Sequence, residues 1–277
     1  MSVTSGIYGC IDGVHTVRNW RISLSADVQK VIASNTAGNA LRLAGNKDWS
    51  GSFETFGGQP VLKPGESFTF TGKATGAWGV VGPAIVDQVE IRWDIEGGGP
   101  IVTTTTFSAN GALERQFVSA SDFTDPEPES SVGCKIEYAA PATSPQFNDI
   151  PDVRTVTLTM TSDNQSYVSS STAGETKRMA GNWDVTLSIA VYESALGEAW
   201  IFPPNSIRAL RLYINDTEFW LLSWMMFHEM SDIEVNRETG ALIGFTYNAG
   251  FTGFAYEGAS LLSGEIVTPD LTSWWAG

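Results

Sequence analysis

The residues that could do chemistry in this chain are few, and they are not spaced as known catalytic motifs require. His15 and His228 are the only histidines, so a site built from several histidines is excluded. Neither has an evident partner for a nucleophile triad. The sequence contains no GxSxG, HExxH or CxxC motif and no phosphate-binding glycine loop. We therefore expect no enzyme activity, no cofactor and no metal centre.

Two pairs of acidic residues alternate along predicted strands, Asp94 with Glu96 and Asp232 with Glu234. Two carboxylates on one strand face could act as acid and base in a glycosidase. However, the chain has 31 acidic residues among 277, so pairs of this kind are expected by coincidence. The acidic pairs alone therefore do not favour a glycosidase.

Cys10 and Cys134 are the only cysteines, and both lie in the first half of the chain. They could pair, but free and partly buried thiols are more typical where no export signal is found. The first 13 residues, MSVTSGIYGCIDG, lack a basic region followed by an apolar stretch, which predicts no secretory signal. The most apolar run, FWLLSWMMF, is too short to cross a bilayer and predicts a buried strand.

The composition indicates a packed and acidic globular protein. Hydrophobic residues make up 42% and aromatic residues 11% of the chain, which excludes a disordered one. The net charge is −15, from 31 acidic and 16 basic residues, and the basic residues are scattered. Such a surface disfavours binding to nucleic acid and to anionic lipid. The same charge could equally serve only to keep the protein soluble.

One phrase occurs twice. RLAGNKDWSGS begins at Arg42, and RMAGNWDVTLS begins at Arg178, a shift of 136 positions (178 minus 42). The match extends without a gap well beyond the phrase. Residues that keep their type at this shift are Val17, Arg18, Asp27, Gln29, Ser34, Thr36, Gly38, Asp48 and Ser52. We therefore predict a tandem duplication.

The match resumes further along at a slightly larger shift, as loop insertions between strands would produce. There Val89-Glu90-Ile91 corresponds to Ile233-Glu234-Val235, and residues 97–111 correspond to residues 238–250. The predicted domains are residues 1–145 and 146–277, each of ordinary domain size. Prolines and small polar residues at 140–152 predict an extended linker between them.

Strands are predicted almost throughout, because apolar and polar residues alternate. Short helices are indicated only near residues 110–118 and 194–200. The prediction is a mainly β fold of two tandem homologous antiparallel β-sandwich or barrel domains with one short helix each. The predicted strands include residues 18–25, 67–71, 89–95, 101–107, 155–161, 185–191, 208–214 and 241–247.

The repeated phrase and the segments before it resemble a known protein family. AGNKDWSGSF at 44–53, preceded by NWRISLSADV at 19–28 and SNTAG at 34–38, resembles the major tail tube proteins of long-tailed, siphovirus-like bacteriophages. TTTTFSANG at 103–111 and GFTYNAG at 244–250 are similar to that family's late strand pair and Asn/Gly turn. The second copy departs from the pattern, since the positions of Trp49 and Gly51 become Val185 and Leu187. Trp183 could partly replace the lost ring.

The resemblance implies a structural virion protein that self-assembles into stacked rings, forming a tail tube through which DNA is ejected. Members of the family usually carry one domain per chain and build six-membered rings, so a doubled chain implies a trimer with pseudo-sixfold symmetry. The implied partners are copies of itself and tail proteins such as the tape measure, terminator and baseplate proteins. Double-stranded DNA would pass without specific binding, and no membrane is involved. The implied location is the virion tail, after synthesis in the bacterial cytoplasm.

Two alternatives stay open. One is another virion protein, either a terminator or baseplate ring or a cement protein that decorates the capsid. The other is a carbohydrate-binding β-sandwich with exposed tryptophan platforms. Within the tube interpretation, an acidic lumen would pass DNA without retaining it, because basic side chains that neutralise phosphates release counterions and hold the polymer.

Eight charged or aromatic residues are candidates for an assembly interface: Arg42, Lys47, Asp48, Trp49, Arg178, Asp184, Trp274 and Trp275. The charged residues could form ion pairs between neighbouring domains, or they could pair within their own turns. Trp49 could hold a turn that contacts the next domain, although large rings in strands pack in cores by default. The two tryptophans near position 275 must dock on something, and a neighbouring ring is one candidate.

Overall fold

The computed structural model describes residues 8–11, 15–32, 40–75, 78–117, 128–140, 146–193, 202–216, 218–234 and 243–251. These residues form a mainly β fold with antiparallel pairing, as predicted. In chain order the strands are β1 (Tyr8–Ile11), β2 (His15–Thr16), β3 (Asn19–Val31), β4 (Leu41–Phe56), β5 (Ser67–Thr75), β6 (Trp78–Asp94), β7 (Val102–Ala109), β8 (Glu114–Phe117), β9 (Ile136–Ala139), β10 (Asn148–Asp149), β11 (Val153–Ser162), β12 (Gln165–Tyr167), β13 (Lys177–Met179), β14 (Trp183–Glu193), β15 (Ser206–Tyr213), β16 (Phe219–Glu234) and β17 (Ile243–Phe251).

The helix predicted at residues 110–118 is wrong. Glu114–Phe117 is a strand, β8, which pairs with residues 78–81 of β6. The segment is too short to nucleate a helix alone, and the edge of β6 supplies its backbone partners. The helix predicted at 194–200 lies outside the described residues. Ser170–Thr172 forms a single 3-10 turn.

Both halves of the chain have the same order of paired strands. In the first half the order is β3-β4-β7-β6-β5-β1-β2, and in the second it is β11-β14-β17-β16-β15-β9-β10. The predicted boundary at 145/146 thus falls between β9 and β10, two strands that pair with each other and extend the β15 edge. Residues 148–150, within the predicted linker, include the buried Ile150.

The registers of the corresponding pairs agree as well. Ile22 of β3 lies opposite Gly51 of β4, and Leu158 of β11 lies opposite Leu187 of β14, both partners being shifted by 136. The residues in β12 and β13 keep the same register as the far ends of β3 and β4, since Ser166 lies opposite Arg178 as Lys30 lies opposite Arg42.

A β-bulge recurs at corresponding places in β6 and β16. The register of β6 against β7 shifts between Val86 and Gln88, and that of β16 against β17 shifts between Phe227 and Glu229. A bulge inserts one residue and raises the local twist. Both long strands therefore bend at the same point of the fold.

The turns before β5 and β15 also match. Gly65 has φ 77° and Asn205 has φ 65°, a left-handed conformation that these two residue types tolerate best. The Gly65 amide donates to the carbonyl of Val86 at 2.8 Å, and the Asn205 amide donates to that of Phe227 at 2.7 Å. Each turn is thereby tied to the long strand beside it at the bulge.

The two halves share a continuous sheet and a continuous core. Residues 88–94 of β6 pair with residues 155–161 of β11, a junction called the seam below. In the core, the indole of Trp93 donates to the carbonyl of Tyr213 at 3.1 Å, and that of Trp220 donates to Gly58 at 2.8 Å. Each of these bonds joins one half to the other and satisfies a buried polar group. No helix in the described part of the chain is long and apolar enough to cross a membrane.

Candidate assembly interfaces

Asp48 and Arg178 form a two-point ion pair between the halves. Asp48 lies on β4 and Arg178 on β13, and the guanidinium binds the two carboxylate oxygens at 3.0 and 2.6 Å. The carboxylate is held in place by the Trp49 amide, which donates to its Oδ1 at 2.9 Å. Arg178 also donates to the carbonyl of Ala109 at 2.7 Å. Bidentate pairs of this geometry are stronger and more specific than ordinary surface ion pairs.

Lys47 contacts the second half mainly through its backbone. Its amide donates to the carbonyl of Gly174 at 2.9 Å, and its carbonyl accepts from the Thr176 hydroxyl at 3.0 Å. Its side chain reaches Glu175 at 3.4 Å but is 70% exposed, so this ion pair contributes little. The loop that follows the 3-10 turn therefore docks on β4 beside Asp48.

Trp49 lies in the core and not on a surface. It is 3% exposed, packs edge-on against Phe107 at 5.9 Å between ring centroids, and donates from its indole to the carbonyl of Gly111 at 2.8 Å. Its counterpart Val185 is also fully buried. Any effect of Trp49 on assembly would therefore act through the fold of its own half.

Asp184 has the local geometry of Asp48 without its partner. Its Oδ1 accepts from the Val185 amide at 2.9 Å, the distance found for Asp48 and Trp49. Asp184 is exposed, and so is Arg42, the counterpart of Arg178. Among the described residues neither side chain takes part in an ion pair. Trp274 and Trp275 lie outside the described residues.

A second charged contact at the seam was not found from the sequence. Arg154 binds Glu96 at 2.9 Å and lies over the ring of Tyr192, whose hydroxyl also bonds Glu96. The hydrogen bonds from Tyr192 and Arg154 lower the pKa of Glu96 below its ordinary value. The sequence did offer a sign of this contact, because the shift of 136 takes Arg18 to Arg154 and the aromatic Phe56 to Tyr192. In the structure Arg18 lies over Phe56 as Arg154 lies over Tyr192.

Corresponding residues of β3 and β11 differ sharply in exposure. Leu24 of β3 is 72% exposed, whereas Met160 at the same position of β11 is 1% exposed. In the described part of the chain β3 pairs only with β4, but β11 pairs with both β14 and β6. The outer edge of β3 and its apolar Leu24 thus lack the strand that covers β11.

The long strand β16 has a matching uncovered edge. On β6, the strands β5 and β11 follow one another along one edge. On β16, β15 occupies the corresponding edge as far as Phe227, and no described strand follows it. Met230 is partly exposed there, while its counterpart Val89 is fully buried. Uncovered edges with apolar side chains are sites where another strand can add.

One face of the shared sheet is polar, and its residues are half-buried or exposed. One row across five strands consists of Glu54, Thr104, Glu90, Thr159 and Thr186. The next row consists of Val102, Arg92, Thr157, Ser188 and Asn248. These ten residues, called the polar face below, include two glutamates and one basic residue.

The half-buried thiol of Cys134 and the buried carboxylate of Glu137 serve structure. Burial raises the pKa of Cys134 to about 11, so the thiol is protonated and unreactive near neutrality. Glu137 is buried but binds Lys135 and Arg211. In the part of the chain that the structure describes, no three His, Cys, Asp or Glu side chains are grouped so as to hold a metal ion.

No protein-family model matches the chain. A search of curated proteins likewise finds none with significant sequence similarity.

Proposed function

We propose that this chain is a structural virion protein that forms the tail tube of a long-tailed bacteriophage. Three copies form a ring with pseudo-sixfold symmetry, the rings stack, and DNA leaves through the bore. The seam is the observation on which the proposal rests. It joins the edges of β6 and β11 within one chain, and the corresponding edges of β16 and β3 lie at the two ends of the shared sheet with no described strand covering them.

The proposal begins from a tandem duplication. Identical strand order in both halves supports it, as do equal registers at a shift of 136 and bulges at the same point of β6 and β16. Independent folding solutions rarely agree in strand order, register and bulge position at once. Because β9 pairs with β15 and β10 pairs with β9, the second repeat in this proposal starts before Ile136.

Ring formation repeats the seam between chains. β6 corresponds to β16, and β11 corresponds to β3, so β3 of a second copy fits the free edge of β16 as β11 fits β6. Met160 lies opposite Val89 in the seam, and the corresponding interchain pair is Leu24 opposite Met230. A head-to-tail contact of this kind closes into a ring when its rotation divides a full turn. Closure after six halves follows from the six-membered rings of the resembled family.

Burial supplies the driving force. Leu24 is exposed in the isolated chain, and covering a leucine side chain stabilises by roughly 1.5–3 kcal/mol. Backbone hydrogen bonds along the added strand satisfy donors and acceptors that water otherwise occupies. Assembly also removes two sheet edges per chain, which in a monomer would invite uncontrolled aggregation.

The polar face suits a surface along which DNA must slide. Its hydroxyl and amide groups are uncharged, and its two glutamates outnumber its one arginine. Retention of a polyanion requires basic side chains that displace its counterions. If this face lines the bore, DNA passes it with little attraction.

The proposal is tested by sedimentation and negative-stain imaging of the purified chain and two variants. Leu24→Lys places a charge on the free edge of β3, at a side chain that the fold leaves exposed, and should prevent assembly without unfolding the subunit. Val132→Lys is the matched control, because Val132 is also an exposed apolar residue, 65% exposed, but lies in a turn and not on the edge of a strand. We expect trimers or hollow tubes for the wild-type and Val132→Lys proteins and monomers for Leu24→Lys.

Two outcomes contradict the proposal. A wild-type protein that remains monomeric at every concentration tested would exclude ring formation. Assembly of Leu24→Lys to the wild-type extent would exclude the β3 edge as the contact.

A further inference from the structure

We propose that Asp184 of one chain binds Arg42 of the next chain through a two-point ion pair that repeats the Asp48–Arg178 pair within the chain. The inference rests on the proposed ring. It assigns the partner of each exposed charge to a specific residue of a second copy.

The template is the contact already present inside the chain. Asp48 belongs to the first repeat and Arg178 to the second, and their side chains meet beside the seam with two hydrogen bonds of 3.0 and 2.6 Å. The Arg178 side chain is 13% and the Asp48 side chain 35% exposed, so the pair is partly shielded from water. A shielded bidentate pair contributes to specificity as well as affinity.

Sequence and register both relate the proposed pair to this template. The shift of 136 takes Asp48 to Asp184 and Arg42 to Arg178. The strand register agrees, since Arg42 lies opposite Lys30 in β3 and β4 as Arg178 lies opposite Ser166 in β12 and β13. When the same contact forms between two chains, Asp184 takes the place of Asp48, and Arg42 of the following copy takes the place of Arg178.

Asp184 is already oriented for this pair. Its Oδ1 accepts from the Val185 amide at 2.9 Å, which fixes the carboxylate as the Trp49 amide fixes that of Asp48. A carboxylate held by the backbone loses less conformational entropy when a guanidinium binds. Asp184 and Arg42 are exposed and of opposite charge, so they suit one another across an interface.

The second ion pair at this place is not repeated. Lys47 binds Glu175 within the chain, but the shift of 136 takes Lys47 to Trp183 and takes Glu175 back to Asn39. The Asp184–Arg42 pair is thus the charged contact that both repeats preserve. Its loss should affect assembly and leave the fold of the subunit intact.

Charge reversal tests the pair. Arg42→Asp and Asp184→Arg each place like charges together, and each should raise the dissociation constant of the ring at least about tenfold by sedimentation. The double variant Arg42→Asp/Asp184→Arg restores opposite charges and should recover most of the lost affinity. Arg115→Asp, an exposed reversal on β8, is the control and should assemble as the wild type does. Thermal unfolding separates a folding defect from an assembly defect, since none of these reversals should lower the Tm of the monomer.

The results distinguish this inference from the proposed function. If the wild type forms rings and both single reversals assemble normally, the ion pair is excluded and the ring stands. If the single variants fail and the double variant fails equally, the two residues do not face one another and the inference is overturned. If the wild type forms no rings, both proposals fall together.

Discussion

Leu24 and Met160 occupy the same position in two corresponding strands, yet Leu24 is exposed and Met160 is fully buried. The difference arises because β6 covers β11, whereas no described strand covers the outer edge of β3. Burial of Met160 and exposure of Leu24 are what the proposed ring requires, with one copy of the contact inside the chain and one between chains. If the ring forms, some substitutions should affect the stability of the subunit and others the joining of subunits.

The Asp48–Arg178 pair should stabilise the subunit. Asp48→Asn removes the charge from a hydrogen-bonded pair, and we expect it to lower the free energy of unfolding by about 1–3 kcal/mol. Asp184→Asn is the control and should change it by less than about 0.5 kcal/mol, because Asp184 is exposed. Urea denaturation in the Leu24→Lys background, in which we expect the subunit to stay monomeric, measures both. Equal effects of the two variants would contradict this assignment.

Trp49 should matter for folding before assembly. Trp49→Phe leaves the buried carbonyl of Gly111 without its indole donor and should cost about 1–3 kcal/mol. Trp49→Ala also opens a cavity beside Phe107 and should cost about 3–5 kcal/mol. Chemical denaturation checks both values. A Trp49→Ala subunit of wild-type stability that fails only to assemble would show that the side chain acts at an interface after all.

Gly51 should not tolerate a side chain. A Cβ at this position would lie 2.5 Å from the carbonyl oxygen of Arg21 and 2.6 Å from the Phe107 ring. We therefore expect Gly51→Ala to destabilise the subunit by at least about 1–3 kcal/mol through overpacking between β3, β4 and β7. Gly99→Ala is the matched control, since no atom lies within 4 Å of the position that a Cβ would take there. A shift of Tm for Gly99→Ala as large as that for Gly51→Ala would contradict the packing argument.

Glu96 should make the subunit sensitive to acid. Its pKa is lowered in the folded state by hydrogen bonds from Tyr192 and Arg154, so its stabilising effect is present above the unfolded pKa of about 4.5 and is lost as the pH falls through the folded pKa. We expect wild type to be more stable than Glu96→Gln at pH 7 and the difference to shrink below pH 4.5. Denaturation curves from pH 7 to pH 3 measure it. A difference that stays constant over this range would exclude the linkage.

Strands with a buried face could be predicted from the sequence. Alternation predicted the strands at 67–71 and 185–191, which lie within β5 and β14, and the apolar run FWLLSWMMF predicted the buried strand β16. The repeat also predicted matching strands at 18–25 and 155–161, which overlap β3 and β11. Both signals are local, so a short stretch of sequence is enough to show them.

Long-range placement could not be predicted in the same way. The sequence equated Val89 with Ile233, a shift of 144, but pairing around the bulges equates Val89 with Met230, a shift of 141. The register of β16 against β17 shifts a second time between Ser231 and Glu234, whereas that of β6 against β7 does not, and such an irregularity leaves no composition signal. Likewise, Asp48 and Arg178 are 130 positions apart in the chain, and only long-range contacts between the halves bring them together. Residues 114–117 were predicted to be helical because these four residues give no sign of the pairing with β6 that makes them a strand.

Site-directed cross-linking is the most direct test of the proposed contact between β3 of one chain and β16 of the next. In a Cys10→Ser/Cys134→Ser background, Leu24→Cys and Met230→Cys introduce thiols at positions that the seam register places directly opposite one another in neighbouring chains, within disulfide reach. The control replaces Leu24→Cys with Leu43→Cys, an exposed position on β4. We expect disulfide-linked trimers, with the 24–230 bond located by mass spectrometry, and no such bond in the control. Chains that stay uncross-linked at concentrations where the wild type assembles, or that link equally well through position 43, would contradict it.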